Sequence, residues 1–334
     1  VVVDTFTVMN PDEFFAYPIT NFTFDILYGL IEQVDEDLYV SPAGDNTNSG
    51  LTADEPLKTI SYALMKILAS ESAPRTIHLL EGTYSPTANG ESLPLYIRSH
   101  VSLQGPDDMR VFLDDEGQSN ILYFNVVSNI QVSNMTLTGG YDQYGGAIAC
   151  EYSSPVLENL VISGNTATAN GGGIYLGYDC FPELTNVTIT ENTASQRGGG
   201  IYIPYYGAPN FSTTERCNIF LNNSGYGQDL YSDGGFVSVV VDTITVMIPN
   251  QYHAYPLSNF EFDILNGKVE QVTADLYVSP DGDNVNSGLT EDEPLRNINF
   301  AFSKLLPDTA NPVTIHLLPG TYSPSANSEP FPLL

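Results

Sequence analysis

The sequence has no tryptophan and very few basic residues. Its 334 residues include 10 Lys and Arg against 40 Asp and Glu, which gives a formal net charge of −30. Binding to nucleic acid requires clustered Lys and Arg that neutralise phosphates, so this balance excludes nucleic acid as a partner. It also argues against anionic membrane surfaces, and it favours high solubility and divalent cations.

Long apolar runs and a leader sequence are missing as well. No run of residues is apolar enough over a sufficient length to span a bilayer, and no signal peptide is recognisable. The chain begins VVVDTFTV without a methionine. We therefore expect a mature or excised segment without a membrane span.

Cysteine is scarce. The three cysteines are Cys150, Cys180 and Cys217. An odd count without metal-ligand spacing predicts neither a zinc site nor a disulfide framework. Cys150 falls at the same repeat position as Leu176 and Ile203, so we interpret it as a small core residue.

A short repeat occupies residues 145–223. Glycine clusters begin at Gly145, Gly171 and Gly198, which are 26 and 27 residues apart. An Ile-x-x-Asn signature recurs at Ile162/Asn165 and Ile189/Asn192, and we place a degraded third copy at Phe220/Asn223 after a small insertion. A period of this length is one supersecondary unit that buries its apolar face only by stacking.

Apolar residues alternate within each repeat, and Gly, Asn, Pro and Asp fill the gaps. Alternation predicts short strands with one face inward, and no helical period is present. The sequence therefore predicts an all-β fold, a right-handed parallel β-helix, with coils about 4.8 Å apart. Asn165 and Asn192 would share one corner, either as a hydrogen-bonded ladder or as plain turn residues.

Two family resemblances follow from these motifs. The GGAI/GGGI and Ile-x-x-Asn pair resembles the repeat of chlamydial polymorphic outer-membrane proteins and related bacterial β-helix surface proteins. The order strand, DN-x-NSG-x-T-x-DEPLKTI, helix, TIHLLEGTYSP resembles the start of pectate-lyase-like β-helix domains, including a bacterial domain of unknown function. Both resemblances imply the fold, and neither implies an activity.

A second, longer repeat encloses the first. Residues 1–96 return as residues 239–334 at a constant offset of 238, with 60 of the 96 positions identical. The predicted domains are a β-rich module at 1–36, a β-helix at 37–230, a second copy of the module at 231–274 and the start of a second β-helix at 275–334. The first module is either a small β-domain or further irregular coils. The chain therefore reads as a piece of a tandem array.

One helix per unit is expected at 57–68. Leu57, Ile60, Leu64, Ile67 and Leu68 form an apolar stripe at spacings of three and four, and the second copy keeps it. Pro56 suits the first helical position. Such a helix would cover the open edge of the first coil.

The central coils contain few residues that could form a catalytic site. Lyases on this fold use an Arg or Lys beside calcium, and glycosidases need convergent carboxylates. The central coils offer only the basic residues Arg197 and Arg216. The acidic candidates are Asp142, Asp179, Asp229, Glu158, Glu183, Glu191 and Glu215, and the repeat register places the glutamates on different faces. We therefore expect no catalytic residues. His78 and His316 should point outward without a partner nucleophile.

Two acidic loops are the candidate metal sites, and calcium is the only cofactor they suggest. Short loops rich in carboxylate and amide oxygens suit calcium. The candidate ligands are Asp45, Asn48 and Asp54 in the first copy, and Asp281, Asp283, Asn286 and Asp292 in the second. The spacing does not fit an EF-hand. The alternative is an Asx-turn that joins the strand to the helix.

Outward tyrosines are the remaining surface feature. Tyr175, Tyr178, Tyr202, Tyr205 and Tyr206 could form a strip that binds sugar or protein, or a ladder that stabilises the sheet.

These observations favour a non-catalytic, extracellular structural or adhesive protein, a stalk or filament at a bacterial surface. The alternatives are a carbohydrate-active enzyme of the pectate-lyase type and a calcium-dependent glycan-binding module. We expect the strand at Val1–Val8 and the apolar residues 330–334 to be open edges. Two such edges of one β-helix are complementary, so the expected partner is the chain itself, through further units or end-to-end copies.

Overall fold

The computed structural model describes residues 1–306 and 310–329. The strands up to the end of the first unit are β1 (Val2–Val8), β2 (Asp25–Ile31), β3 (Leu38–Val40), β4 (Arg75–Leu79), β5 (Gly82–Tyr84), β6 (Leu95–Tyr96), β7 (Val101–Gln104), β8 (Val111–Asp114), β9 (Leu122–Asn125), β10 (Gln131–Thr138), β11 (Tyr141–Tyr144), β12 (Ile148–Glu151), β13 (Val156–Ser163), β14 (Thr166–Asn170), β15 (Ile174–Leu176), β16 (Glu183–Thr185), β17 (Thr188–Thr190), β18 (Thr193–Arg197), β19 (Ile201–Ile203), β20 (Asn210–Phe211), β21 (Cys217–Phe220), β22 (Asn223–Tyr226) and β23 (Leu230–Ser232).

The remaining elements belong to the second copy or are helices. The strands are β24 (Val237–Ile244), β25 (Ala254–Tyr255), β26 (Phe260–Gly267), β27 (Leu276–Val278) and β28 (Ile315–Leu317). The helices are α1 (Ile60–Lys66), α2 (Ile298–Lys304) and α3 (Pro324–Asn327), with 3-10 turns at Ile19–Asn21 and Leu257–Asn259.

The strands form a parallel solenoid of about 10 turns with three walls. The first wall is a 13-stranded sheet whose path runs β26-β24-β21-β17-β13-β10-β7-β4-β3. The second wall is β11-β14-β18-β22, and the third wall is β25-β23-β19-β15-β12-β9-β6. Non-sequential neighbours joined in parallel mean that each coil stacks on the previous one, so the predicted all-β parallel β-helix is confirmed.

Aliphatic ladders fill the interior. On the third wall the same inward position is occupied in seven successive coils by Leu95, Leu122, Ile148, Ile174, Ile201, Leu230 and Ala254. All seven are buried. Burial of a large aliphatic side chain contributes about 1.5–3 kcal/mol relative to exposure, so the ladder is a main source of stability. Cys150 lies in the neighbouring ladder beside Leu176, as expected.

The glycine clusters mark a corner where coils approach closely. Gly171 has φ +72°, a conformation that L side chains rarely adopt. A Cβ on Gly172 would lie 2.4 Å from the carbonyl oxygen of Gly199 in the next coil. The recurrence of these glycines therefore follows from the stacking distance.

The helix is shorter than predicted. Pro56 and Leu57 are not helical, because the Leu57 N–H donates to the Tyr39 carbonyl (2.9 Å) and the residue extends the pairing of β3. Thr59 is the N-cap, and its hydroxyl accepts from Tyr62 N at 3.3 Å. Ile67 forms a strand-like bridge to Val34 after the helix ends. The apolar stripe in the sequence is longer than the helix, because the extended residues on both sides of the helix face the same core.

The second copy of the N-terminal module forms further coils of the same solenoid. Strand β24 pairs with β21 of the first unit on one side and with β26 on the other. The sheet therefore passes position 230/231 without a break, and the proposed division into domains stays a prediction. In the described part of the chain, the equivalent strand β1 pairs with β2 alone.

Helix α2 packs on the end of this first stack. The Tyr252 hydroxyl donates to the Asn299 carbonyl at 3.1 Å, and its ring lies 6.1 Å from that of Phe302. Asn299 Nδ2 donates to Asn223 Oδ1 over 3.1 Å, across 76 residues. The expected edge at residues 330–334 lies outside the described residues.

Candidate functional site

The predicted calcium loops are closed by their own hydrogen bonds. Asp45 Oδ1 accepts from Thr47 N and Thr47 Oγ1, each at 2.9 Å, and these bonds lower the pKa of the Asp45 carboxyl. Asp283 Oδ1 accepts from Val285 N at 3.1 Å in the second copy. Asn48 and Asn286 donate to Pro56 O and Pro294 O, both at 2.9 Å.

These contacts are the Asx-turn geometry that was the alternative to calcium. Within residues 1–306 and 310–329, no three His, Cys, Asp or Glu side chains are grouped to hold a metal ion. Asp54, Asp281 and Asp292 have no hydrogen bond that would fix them toward such a centre in this part of the chain. Calcium binding at the seven predicted residues stays a prediction.

The basic residues considered for catalysis join neighbouring coils instead. Arg197 contacts Asp233 (3.2 Å) and lies 5.0 Å from the ring centre of Tyr231. Arg216 donates to Asp263 Oδ2 at 2.7 Å and to the Val241 carbonyl at 3.2 Å. Each guanidinium is therefore engaged in an ion pair between neighbouring coils.

His78 and its copy His316 also have a structural setting. His78 stacks on Tyr39 at 5.0 Å and its Nε2 lies 3.5 Å from Asp37 Oδ2. His316 repeats the arrangement with Tyr277 (4.8 Å) and Asp275 (3.1 Å). The outward orientation was predicted, and the carboxylate partner was missed.

A tyrosine ladder runs up the outer face of the third wall. In seven successive coils this position holds Tyr96, Tyr123, Ala149, Tyr175, Tyr202, Tyr231 and Tyr255. The rings of Tyr175 and Tyr202 are stacked at 5.2 Å, and those of Tyr202 and Tyr231 at 5.7 Å. Tyr202 is only 7% exposed and Tyr231 only 8%. Their ring faces cover each other, so this part of the strip stabilises the sheet and offers no face to a ligand.

A groove opens where the ladder is exposed, at the first coils. Its volume is about 860 Å³, within the range of ligand sites. Aromatic rings line it from both sides, with Tyr17, Tyr96 and Tyr152 each more than half exposed. Glu13 and Asn125 add polar oxygens.

Arg98 links segments of the chain that meet at the groove. Its guanidinium forms an ion pair with Asp12 and donates to the Ile67 carbonyl (2.8 Å) at the end of α1. It also lies 5.3 Å from the ring centre of Phe14. Arg98 is buried although Asp12 is half-exposed. No sequence pattern identifies this residue, because its partners lie up to 86 residues away.

A buried polar ladder runs along another corner. Asn165 Nδ2 donates to Asn192 Oδ1 (2.9 Å), and Asn192 Nδ2 donates to Asn222 Oδ1 (3.1 Å). The predicted asparagine ladder is therefore present. Its third member is Asn222, not Asn223, because Ile219 pairs with Ile189 and restores an undegraded Ile-x-x-Asn.

The ladder ends on a buried carboxyl group. Asp229 Oδ1 accepts from Asn222 Nδ2 at 3.0 Å, and Oδ2 has no well-formed hydrogen bond among the described residues. Burial raises the pKa of Asp229 to about 6, although Thr245 and Asn222 partly offset this. In the next coil burial lowers the pKa of His253 to about 4. Both groups are buried at the junction where the second copy begins.

A second asparagine ladder was missed. Asn186 Nδ2 donates to Asn159 Oδ1 (2.8 Å), and Asn159 Nδ2 donates to Asn134 Oδ1 (3.0 Å). All three have φ between +50° and +62°. The segments SNMTL, ENLVI and TNVTI carried the signal, since asparagine tolerates the left-handed region.

Two known protein families match parts of this chain. Residues 42–125 match the family described as protein of unknown function (DUF1565), a parallel β-helix family. Residues 159–177 and 186–204 match the Chlamydia polymorphic membrane protein repeat. The repeats of this chain are similar to those of chlamydial polymorphic membrane proteins. Both predicted resemblances are confirmed, and the repeat matches include Asn165 and Asn192, two of the three members of the buried asparagine ladder.

One curated relative is a metabotropic glutamate receptor-like protein P from Dictyostelium discoideum. The identity is 28% over 151 residues, which is 43% of this chain and 10% of that protein. The chain thus spans about a tenth of the relative's length. No solved structure matches the chain. No helix in residues 1–306 or 310–329 has the length and hydropathy needed to cross a membrane.

Proposed function

We propose that the chain is part of a non-catalytic, extracellular structural repeat protein, a rod-like stalk at a bacterial surface. The observation that carries this proposal is the pairing of β24 with both β21 and β26. The first coils of the second unit are then a continuation of the solenoid of the first unit, while its strands β27 and β28 form a separate two-stranded sheet. The similarity to chlamydial polymorphic membrane protein repeats supports a surface location.

The charge distribution is consistent with such a rod. A net charge of −30 keeps neighbouring rods apart and soluble. Arginine and tyrosine contacts between coils, such as Arg216 with Asp263 and Tyr175 with Tyr202, add rigidity along the axis. These groups serve the scaffold, and we assign none of them to catalysis.

Small-angle X-ray scattering tests the rod. Appending residues 97–334 after Leu334 continues the repeat in register and adds one unit. At about 27 residues and 4.8 Å per coil, the maximum dimension should grow by about 40 Å at constant cross-section. A larger cross-section, from units folded side by side, would overturn the proposal.

The same geometry supports self-association as the partner interaction. Strand β1 corresponds to β24 in the second copy, and β24 is paired with a neighbouring strand on both edges. A preceding coil, from further chain or from a second copy, therefore fits on β1. Light scattering of the chain should show association that rises with concentration. A monodisperse chain at every concentration would refute end-to-end stacking.

The aromatic groove favours a second candidate function, binding of a neutral glycan. Exposed tyrosine faces bind sugar rings, and Glu13 and Asn125 offer hydrogen-bond acceptors beside them. The acidic surface disfavours anionic polysaccharides, which separates this candidate from a pectate-lyase-type activity. Adhesion would then reside at the first coils of this unit.

Calorimetric titration with neutral oligosaccharides tests the groove. Tyr96→Ala and Tyr152→Ala should weaken binding at least tenfold, whereas Tyr206→Ala, an equally exposed tyrosine outside the groove, should not. Equal effects of all three substitutions, or no binding by the parent chain, would remove this candidate.

Calcium binding at the acidic loops is a separate proposal. Titration with calcium should raise the melting temperature of the chain, and Asp283→Ala should reduce that increase. Val285→Ala changes an exposed side chain of the same loop without removing a carboxylate and is the matched control. Absence of any calcium effect would leave the loops as turns.

A further inference from the structure

Two of the three cysteines lie in contact inside the solenoid. Cys150 is on β12, and Cys180 is in the next coil, between β15 and β16. Their Sγ atoms are 3.1 Å apart, and both residues are buried. Only a small movement separates this distance from the about 2.05 Å of a disulfide bond.

The third cysteine provides an internal contrast. Cys217 is on β21 in the first wall, while Cys150 is on the third wall. Cys217 is also buried, and burial raises the pKa of its thiol to about 11. No sulfur contact to Cys217 is present among the described residues. The three cysteines are therefore one contacting pair and one isolated thiol, and their number alone does not reveal the pair.

We propose that Cys150 and Cys180 form a disulfide bond that fastens two adjacent coils, and that Cys217 remains a free thiol. The bond would close a loop of one coil, since the residues are 30 positions apart. A loop of this size gives a substantial entropic stabilisation in the chain-entropy model.

The oxidation requires an external disulfide such as oxidised glutathione. One cysteine thiolate attacks a sulfur of that disulfide, forms a mixed disulfide and releases one glutathione thiolate. The second cysteine thiolate then attacks the mixed disulfide at the protein sulfur and releases the other glutathione. Two protein thiols are oxidised, one glutathione disulfide is reduced, and the two thiol protons end on the two glutathione molecules.

The reaction belongs to folding. The contact with Cys180 and burial raise the pKa of the Cys150 thiol, so in the closed coil it is protonated and shielded from solvent. An oxidant reaches the pair before the coils stack. Secreted proteins fold under such oxidising conditions, whereas the cytosol keeps thiols reduced.

Thiol counting tests the proposal on the full chain. The chain is refolded in a buffer of reduced and oxidised glutathione, quenched, unfolded, alkylated and weighed intact. We expect one alkylated cysteine, and three after reduction. Peptide mapping should show a Cys150–Cys180 cross-link. Three free thiols after oxidative refolding, or a cross-link that includes Cys217, would overturn the proposal.

Matched variants keep the test independent of the proposed surface location. Cys217→Ala should retain the cross-link and leave no free thiol. Cys180→Ala should leave two free thiols. The oxidised parent chain should melt about 5–10 °C above its reduced form. Equal melting temperatures with a mapped cross-link would contradict the fastening role, and the rod measured by scattering is unaffected by either result.

Discussion

Asp229 Oδ1 accepts a hydrogen bond of 3.0 Å from Asn222 Nδ2, at the last step of a buried ladder of amide side chains. The same position is glycine in the preceding coil, where Gly200 precedes Ile201, and His253 in the following one. A carboxyl group thus ends the regular repeats where the second copy begins. Its second oxygen is buried without a well-formed partner among the described residues.

Replacing this carboxyl group should stabilise the chain above pH 6. The pKa of Asp229 is about 6 in the folded chain against 3.8 for the free side chain, so folding favours the protonated carboxyl. This contribution to stability is complete below pH 3.8 and is lost as the pH rises through 6. Asp229→Asn keeps the acceptor for Asn222 and removes the charge. At pH 8 we expect a gain of roughly 2–3 kcal/mol in the free energy of unfolding.

Urea unfolding of both proteins from pH 4 to pH 8 measures this gain. The difference between variant and parent should be near zero at pH 4 and reach its plateau above pH 6. His253 titrates in the opposite sense, since its depressed pKa of about 4 costs stability as the pH falls below 6.5, but it is common to both proteins. A variant less stable than the parent at pH 8 would refute the assignment.

The inner asparagine ladder should contribute more than the outer one. Asn192 donates to the Ile162 carbonyl (2.8 Å) and accepts from Asn165 N (3.1 Å), and it is fully buried. Asn192→Ala leaves these groups unpaired and should cost about 2–4 kcal/mol in thermal or urea unfolding. Asn186→Gly is the control, because it keeps the left-handed backbone and removes one exposed bond. It should cost about 1 kcal/mol or less, and equal losses would argue against a buried ladder.

Glu91 should be the main N-terminal cap of α1. Its carboxylate accepts from Ile60 N (2.7 Å) and Ser61 N (2.9 Å), and Glu329 makes the same two bonds in the second copy. Glu91→Ala should cost about 1–3 kcal/mol and speed hydrogen exchange in residues 60–66. Glu55→Ala, which removes only an exposed contact to Ser49, should leave exchange there unchanged.

Local repetition made the fold predictable, and long-range partners made its details unpredictable. Gly145, Gly171 and Gly198 and the two Ile-x-x-Asn pairs carried the coil period directly. The third asparagine was misplaced because an insertion shifted the count by one, and strand register alone identifies Asn222. The helix start was wrong because Leu57 faces the same core as α1 although it is extended.

The features that sequence reasoning missed are joined across coils. Arg98 meets Asp12, and Glu91 caps a helix 31 residues before it. Neither pairing has a spacing that one copy of the motif reveals. Glu91 recurs as Glu329 at the 238-residue offset, which the sequence shows. The first N–H groups of a helix need hydrogen-bond acceptors, and a glutamate kept in both copies is a candidate for that role.

One engineered cross-link tests whether β24, the first strand of the second unit, continues the first solenoid. Cys217 on β21 is paired in register with Val241 on β24, and both side chains are buried. Adjacent parallel strands suit a disulfide, whereas a residue two positions away along the strand is too distant. In a continuous solenoid, Val241→Cys should cross-link to Cys217 under mild oxidation while Val239→Cys should not. No cross-link to position 241, or equal cross-linking at both positions, would contradict the continuous solenoid.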